Sequence, residues 1–124
     1  MTICYCGNHL SFQECCEPYL KKVKKAATPE ILMRSRYSAY ANVTVNYLIA
    51  TTHLSTRKNH SRKELHDFAS ANNWTKLEIL ETTENTVIFK AYCLDNHKLP
   101  QIHHEKSTFI LEDGTWFYVD GNYY

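Results

Sequence analysis

Four cysteines fall within the first sixteen residues: Cys4, Cys6, Cys15 and Cys16. A single further cysteine, Cys93, occurs in the rest of the chain. Four thiols this close make a complete ligand set for one tetrahedral zinc ion. Cys4-Tyr5-Cys6-Gly7 reads as a turn from which two thiolates converge, and Gly7 permits the positive φ such turns often need. Cys15 and Cys16 are adjacent, and adjacent side chains usually diverge. A helix start bends the backbone enough for both to face one ion, and Pro18 suits such an entry. The competing readings are two long-range disulfides or buried thiols. His9 is a spare ligand that four thiols make unnecessary. In a reducing compartment, clustered cysteines are metal ligands more often than disulfides.

The knuckle is too small to bury a core, so the remainder must do so. A chain of 124 residues fits one compact domain with a small appendage. The expected division is a zinc-binding segment with a basic link over residues 1–25, and a body over 26–124. Lys21-Lys22-Val23-Lys24-Lys25 reads as a solvated link. A formal net charge of +1 gives no global field for nucleic acid or a membrane surface. No apolar run reaches about 18 residues, and no signal-peptide pattern opens the chain. A cytoplasmic location without membrane or nucleic-acid partners is the expectation.

The body opens with helical patterns. Thr28-Pro29-Glu30 supplies a hydroxyl cap, a first-turn proline and a carboxylate at the positive helix end. Met33, Tyr37 and Tyr40 recur on one face; Leu32, Ala39 and Val43 form a second stripe. Val45, Leu48, Ile49 and Thr52 continue as a short helix. Ser61 with Glu64 is a capping box before Leu65, Phe68 and Ala69. After Asn72-Asn73 the period becomes two. Strands are expected around Leu77–Ile79, over Val87–Cys93, over Ile102–Glu112 and over Thr115–Asp120. Asp113-Gly114 joins the last pair as a tight hairpin. Helices followed by an antiparallel meander predict an α+β fold with helices packed on one face of a curved sheet. The expected core is Leu32, Tyr37, Phe68, Phe89, Phe109 and Trp116, with nothing from the cysteine segment, so the body should survive metal loss.

A two-residue turn at Asp113-Gly114 sets Leu111 opposite Trp116, Phe109 opposite Tyr118 and Ser107 opposite Asp120. Alternation then places Leu111, Phe109, Ser107, Glu105, His103, Trp116, Tyr118 and Asp120 on one face. A bare carboxylate near a core edge is costly, so Glu105 and Asp120 call for Arg34 or Arg36 as ion-pair partners. With Tyr37 and Tyr40 from the first long helix, these residues are the pocket candidates. His103 and His104 point to opposite faces and do not readily share a metal. Cys93 reads as a core thiol.

Two resemblances follow from these motifs. Cys4-Tyr5-Cys6-Gly7, seven residues, then Cys15-Cys16 resembles the SEC-C motif, the zinc-binding module at the end of the SecA translocation ATPase. Tyr5, Asn8 and His9 depart from that motif's usual Pro and Ser-Gly, while the ligand spacing is kept. Met33-Arg34-Ser35-Arg36-Tyr37-Ser38-Ala39-Tyr40, His104-Glu105-Lys106-Ser107-Thr108-Phe109 and Asp113-Gly114-Thr115-Trp116-Phe117-Tyr118-Val119-Asp120-Gly121 resemble the bacterial YchJ-like proteins. That resemblance implies the cone-shaped α+β fold of the nuclear transport factor two and SnoaL-like superfamily.

Two functions are consistent with these features. One is a zinc-stabilised interaction module that contacts a protein partner through its N-terminal segment. The other is a small-molecule enzyme of SnoaL or ketosteroid isomerase type, in which Glu105 or Asp120 acts with a tyrosine over a dry cavity. A hollow, apolar-walled cone with a carboxylate free of arginine favours the enzyme; a filled cone with an arginine–glutamate pair favours the module.

Overall fold

The computed structural model describes residues 3–124; residues 1 and 2 of the first expected segment lie outside the described residues. A 3-10 turn, Phe12–Glu14, precedes five helices: α1 (Glu17–Leu20), α2 (Pro29–Ala41), α3 (Val45–Ala50), α4 (Leu54–Arg57) and α5 (Arg62–Ala71). Four strands follow: β1 (Asn73–Thr82), β2 (Thr86–Leu94), β3 (Pro100–Glu112) and β4 (Thr115–Tyr123). They pair in sequence order as one antiparallel sheet. This is the expected α+β order, with the helices against one face of a meander.

Capping chemistry sets the helix starts. Thr28 Oγ1 accepts from the Ile31 N–H at 3.2 Å, with Pro29 in the first turn. Ser61 Oγ accepts from the Glu64 N–H at 3.0 Å. Helix α4 carries no apolar period to announce it. His53 caps it, its Nδ1 accepting from the Ser55 N–H at 3.2 Å. In α5, Leu65 and Ala69 are buried as expected, but Phe68 is 44% exposed.

Along β2 and β3 the inward face is as the alternation requires: Val87, Phe89, Ala91, Cys93, Glu105, Ser107 and Phe109 are buried. Asp113 and Gly114 both take positive φ, 52° and 76°, as a type I′ hairpin demands. Leu111 faces Trp116 and Phe109 faces Tyr118. Past that point the register shifts. A bulge leaves Val119 unpaired, so Thr108 faces Asp120 and Ser107 faces Gly121. The expected Ser107–Asp120 pairing is corrected: Asp120 is exposed, and Gly121 takes the inward place. A strict two-residue period cannot register an inserted residue. Leu111, expected inward, sits 54% exposed near the hairpin tip.

The core is also wider than expected. Cys4, Cys6, Cys16 and Leu20 belong to the same buried cluster as Leu32, Met33, Tyr37, Phe89 and Phe109. Trp116 only borders it. The helical half is tied to the last strand by a parallel bridge between Thr52 and Tyr118. There the Tyr118 N–H donates to Thr51 O and the His53 N–H to Tyr118 O, each at 2.8 Å.

Candidate metal centre and cone pocket

The knuckle folds on short backbone bonds. The Cys4 N–H donates to Leu10 O at 2.8 Å and the Gly7 N–H to Cys4 O at 3.1 Å. Gly7 takes φ 87°, the left-handed backbone its position requires. Cys15 closes the 3-10 turn and Cys16 caps α1, so the adjacent pair sits at a joint between two helical turns. That joint is what lets both side chains turn the same way.

The four Sγ atoms lie within 4.8 Å of one another. Cys6 and Cys15 are 3.6 Å apart, and Cys15 and Cys16 are 3.8 Å apart. Sulfurs about 2.3 Å from a central ion in a regular tetrahedron are separated by about 3.8 Å. These spacings match a tetrahedral thiolate site and exceed any disulfide bond. All five cysteines are free, and His9 is outside the cluster. Hydrogen bonds from Cys16 and then Cys6 drive the Cys4 thiol far below its usual range. Burial, with the charge of Cys6, pushes Cys15 up to about 12. Hydrogen bonding to Cys4 and Cys6, together with burial, raises Cys16. Thiols so opposed are reconciled by a divalent cation, which favours the thiolate at every position.

Helix α2 is the platform. Ser38 Oγ lies 3.5 Å from Cys4 Sγ, and Cys16 Sγ donates to Arg34 O at 3.7 Å. Arg34 Nη1 donates to Cys6 O at 2.8 Å, while its Nε pairs with Glu30 at 3.0 Å. Arg34 therefore serves the knuckle and is not a pocket residue.

Other residues of α2 line a cavity of about 330 Å³ between helices and sheet. Of the pocket candidates, Arg36, Tyr37, Tyr40, Glu105, Ser107 and Tyr118 line it; Arg34 and Asp120 do not. Glu105 is buried and accepts from His103 Nε2 at 2.8 Å, from Tyr118 OH at 3.2 Å and from Ser107 Oγ. Burial by itself would raise its pKa; the bonds from His103, Ser107 and Tyr118 prevail and hold it below the usual value. Burial and the neighbouring Glu105 charge raise the Tyr118 phenol.

The expected arginine–carboxylate pair does not form. Among the described residues, no ion pair joins Arg34 or Arg36 to Glu105 or Asp120. Instead Arg36 Nη1 donates to Leu48 O at 3.0 Å, Thr51 Oγ1 at 2.7 Å and Thr52 Oγ1 at 3.3 Å. Its guanidinium lies 4.4 Å from the Tyr118 ring centroid. Carbonyl and hydroxyl oxygens at the end of α3, which carry no apolar signal, take the place of the carboxylate.

Sequence reasoning placed His103 on the inward face but weighed it only as a metal ligand. Its role appears from position: two residues before Glu105 on one strand, the same face is shared. His60, Phe68, Trp74 and Tyr123 also line the cavity. Burial and then the Arg36 charge lower the His60 pKa. Trp74 Nε1 is buried without a hydrogen-bond partner. Its ring meets Tyr37 and Phe68 edge-on at 6.1 and 5.5 Å, and aromatic faces are weak acceptors.

Residues 28–121 match the family described as YchJ, middle NTF2-like domain. The chain belongs to this YchJ-like family. A UPF0225 protein of Serratia proteamaculans (strain 568) is 38% identical over 126 residues, covering 96% of this chain and 82% of the relative. Another from Geobacter sulfurreducens is 38% identical over 127 residues, covering 97% and 78%. The solution structure of RPA3114, a SEC-C motif containing protein from Rhodopseudomonas palustris, is similar at a TM-score of 0.89, with 31% identity over 98% of both chains. A crystal structure of a SEC-C motif containing protein from Psychrobacter arcticus gives 0.77 and 28% identity over 92% of this chain and 73% of that one. The YchJ-like chain thus joins a SEC-C cysteine cluster to an NTF2-like body, as the sequence motifs implied.

Proposed function

We propose that this YchJ-like protein is a zinc-structured binder of a small molecule, with the cone as its binding site. The observation that carries the reading is the cavity of about 330 Å³, apolar in most of its wall, with a buried carboxylate that no arginine neutralises. Pockets of this size and lining are where proteins hold small ligands. Cys4, Cys6, Cys15 and Cys16 would hold the metal, and a closed four-thiolate site supplies folding energy and no open coordination position. Three of those thiols are buried and two of them bond to α2, which supports a scaffold role over docking of a protein partner through the segment. The test is a nuclear magnetic resonance titration with 2-naphthol. Shifts confined to cavity residues support the reading, and Ala91→Phe, which fills the cavity, should abolish them. Shifts absent or scattered over the surface defeat it.

A second, catalytic reading is supported by the same hollow, apolar-walled cone with a carboxylate free of arginine, the feature expected of an enzyme. Glu105 spends both oxygens on His103, Ser107 and Tyr118, so it positions a base better than it acts as one. An ionised carboxylate only accepts, so His103 Nε2 carries the shared proton, and in the neutral ring Nδ1 has the lone pair. His103 Nδ1 would remove a proton from carbon beside a carbonyl, the electron pair passing to the carbonyl oxygen, and then return it. Deuterium exchange into 2-tetralone tests this: acceleration by the protein that His103→Gln abolishes is the expected result.

A further inference from the structure

Arg36 is 4% exposed, and yet its hydrogen bonds use one of its three nitrogens. All of its bonds to Leu48, Thr51 and Thr52 leave from Nη1. Among the described residues, Nε and Nη2 make no close hydrogen bond; the neutral Tyr40 phenol is the polar group beside Arg36. Nε and Nη2 are not sealed in protein either: the buried polar atoms without partners are Ser11 Oγ and Trp74 Nε1. Arg36 lines the cavity, the open space within reach of this edge. One face of the guanidinium rests on Tyr118. The nearby carboxylate, Glu105, is taken up by three other donors. A buried guanidinium surrounded by neutral acceptors and a ring lacks its anion.

Nε and Nη2 are the two parallel donors of one guanidinium edge, the pair that engages both oxygens of a carboxylate. Beside that edge stands Tyr40, whose phenol is raised by burial and pulled back by Arg36. Next come flat walls. Tyr40, Phe68 and Trp74 meet one another with centroids 5.5 to 5.9 Å apart, which suits a planar ring.

We propose that the cone takes a small planar carboxylate, an aromatic or conjugated monoacid of about a dozen non-hydrogen atoms, with its carboxylate on the Nε–Nη2 edge of Arg36 and its ring against Tyr40, Phe68 and Trp74. This deepens the small-molecule reading and rests on it. The anionic group separates the two: a neutral aromatic fills the cone equally well but leaves Arg36 unpaired.

The experiment uses the metal-loaded full chain, with 2-naphthoate and its neutral isostere 2-naphthamide as probes. Calorimetry should show naphthoate binding tighter by about tenfold or more. Arg36→Lys keeps the charge but loses the edge, and should cost naphthoate about tenfold while leaving naphthamide little changed. Nuclear Overhauser contacts from the naphthoate ring to Tyr40 and Trp74 of the unaltered protein place the ligand even if the variant does not fold. Equal affinity for acid and amide overturns the carboxylate proposal and leaves the small-molecule reading standing. Failure of both probes overturns the proposal, and the naphthol titration then decides the broader reading by itself.

Discussion

The carboxylate of Glu105 lies in the space where a side chain at Gly121 would begin. A Cβ built on Gly121 overlaps the Glu105 Cγ, Cδ and Oε2. The bulge at Val119 brings Gly121, in place of Asp120, under Glu105. The backbone there needs no glycine for its φ; the requirement is for room.

Gly121→Ala should therefore displace Glu105 and cost about 1–3 kcal/mol, the usual range for overpacking a filled site. Urea unfolding measures the loss. The same change in a Glu105→Ala background should cost clearly less, because the obstructing carboxylate is gone. Equal costs in both backgrounds would show that the two residues do not compete for space.

Acid stability should follow the two shifted groups in the cone. Glu105 has a folded pKa below the ordinary carboxylate value of 4.5. Its contribution is present above that value and is lost as pH falls through the lower, folded one, because the unfolded chain takes up the proton first. His60 has a folded pKa below 6.5, so its burial as the neutral imidazole loses stability as pH drops below that point. Urea midpoints followed into acid should decline in both windows. Glu105→Gln should flatten the lower one, and an unchanged lower decline in that variant counts against the assignment.

Much of this arrangement was legible in the sequence, and the part that was not has a physical cause. Thr28-Pro29, Ser61 with Glu64, and Asp113-Gly114 signalled element ends because their chemistry is local. The four thiols signalled a metal cluster because spacing alone brings them together. The inward placement of Glu105 and Ser107 followed from alternation. What failed was non-local. The extra residue at Val119 has no sequence mark, so Asp120 was assigned to the wrong face. For Arg36 charge suggests a carboxylate, whereas backbone and hydroxyl oxygens at the end of α3 take the bonds of its Nη1. Asp120→Ala, at an exposed outer position, should accordingly change stability by less than about 0.5 kcal/mol; a larger loss would restore Asp120 to the core edge.

Metal removal should reach the body. The buried cluster runs without a break from Cys4, Cys6 and Cys16 to Leu32 and Met33. Chelation is expected to lower the midpoint of a single unfolding transition, in place of melting a separate unit. Elemental analysis of reduced protein should give about one zinc per chain, and Cys15→Ser should bind far less, since a hydroxyl is a poor substitute for thiolate. A body whose midpoint is indifferent to chelator would show two independent units.

The meander order of the sheet also bears on how the chain reaches this fold. Each strand pairs with its neighbour in sequence, so the sheet assembles through short loop closures of low entropic cost. The knuckle meets α2 across separations of 18 to 34 residues. A farther closure is the bridge of Thr52 to Tyr118, which seals helices to the last strand where Arg36 stacks. Non-local pairings of this kind set the pace of folding. Closing the cavity thus needs a pairing distant in the chain, and substitutions at Tyr118 are expected to slow refolding, measured by stopped flow, as well as to weaken the ligand.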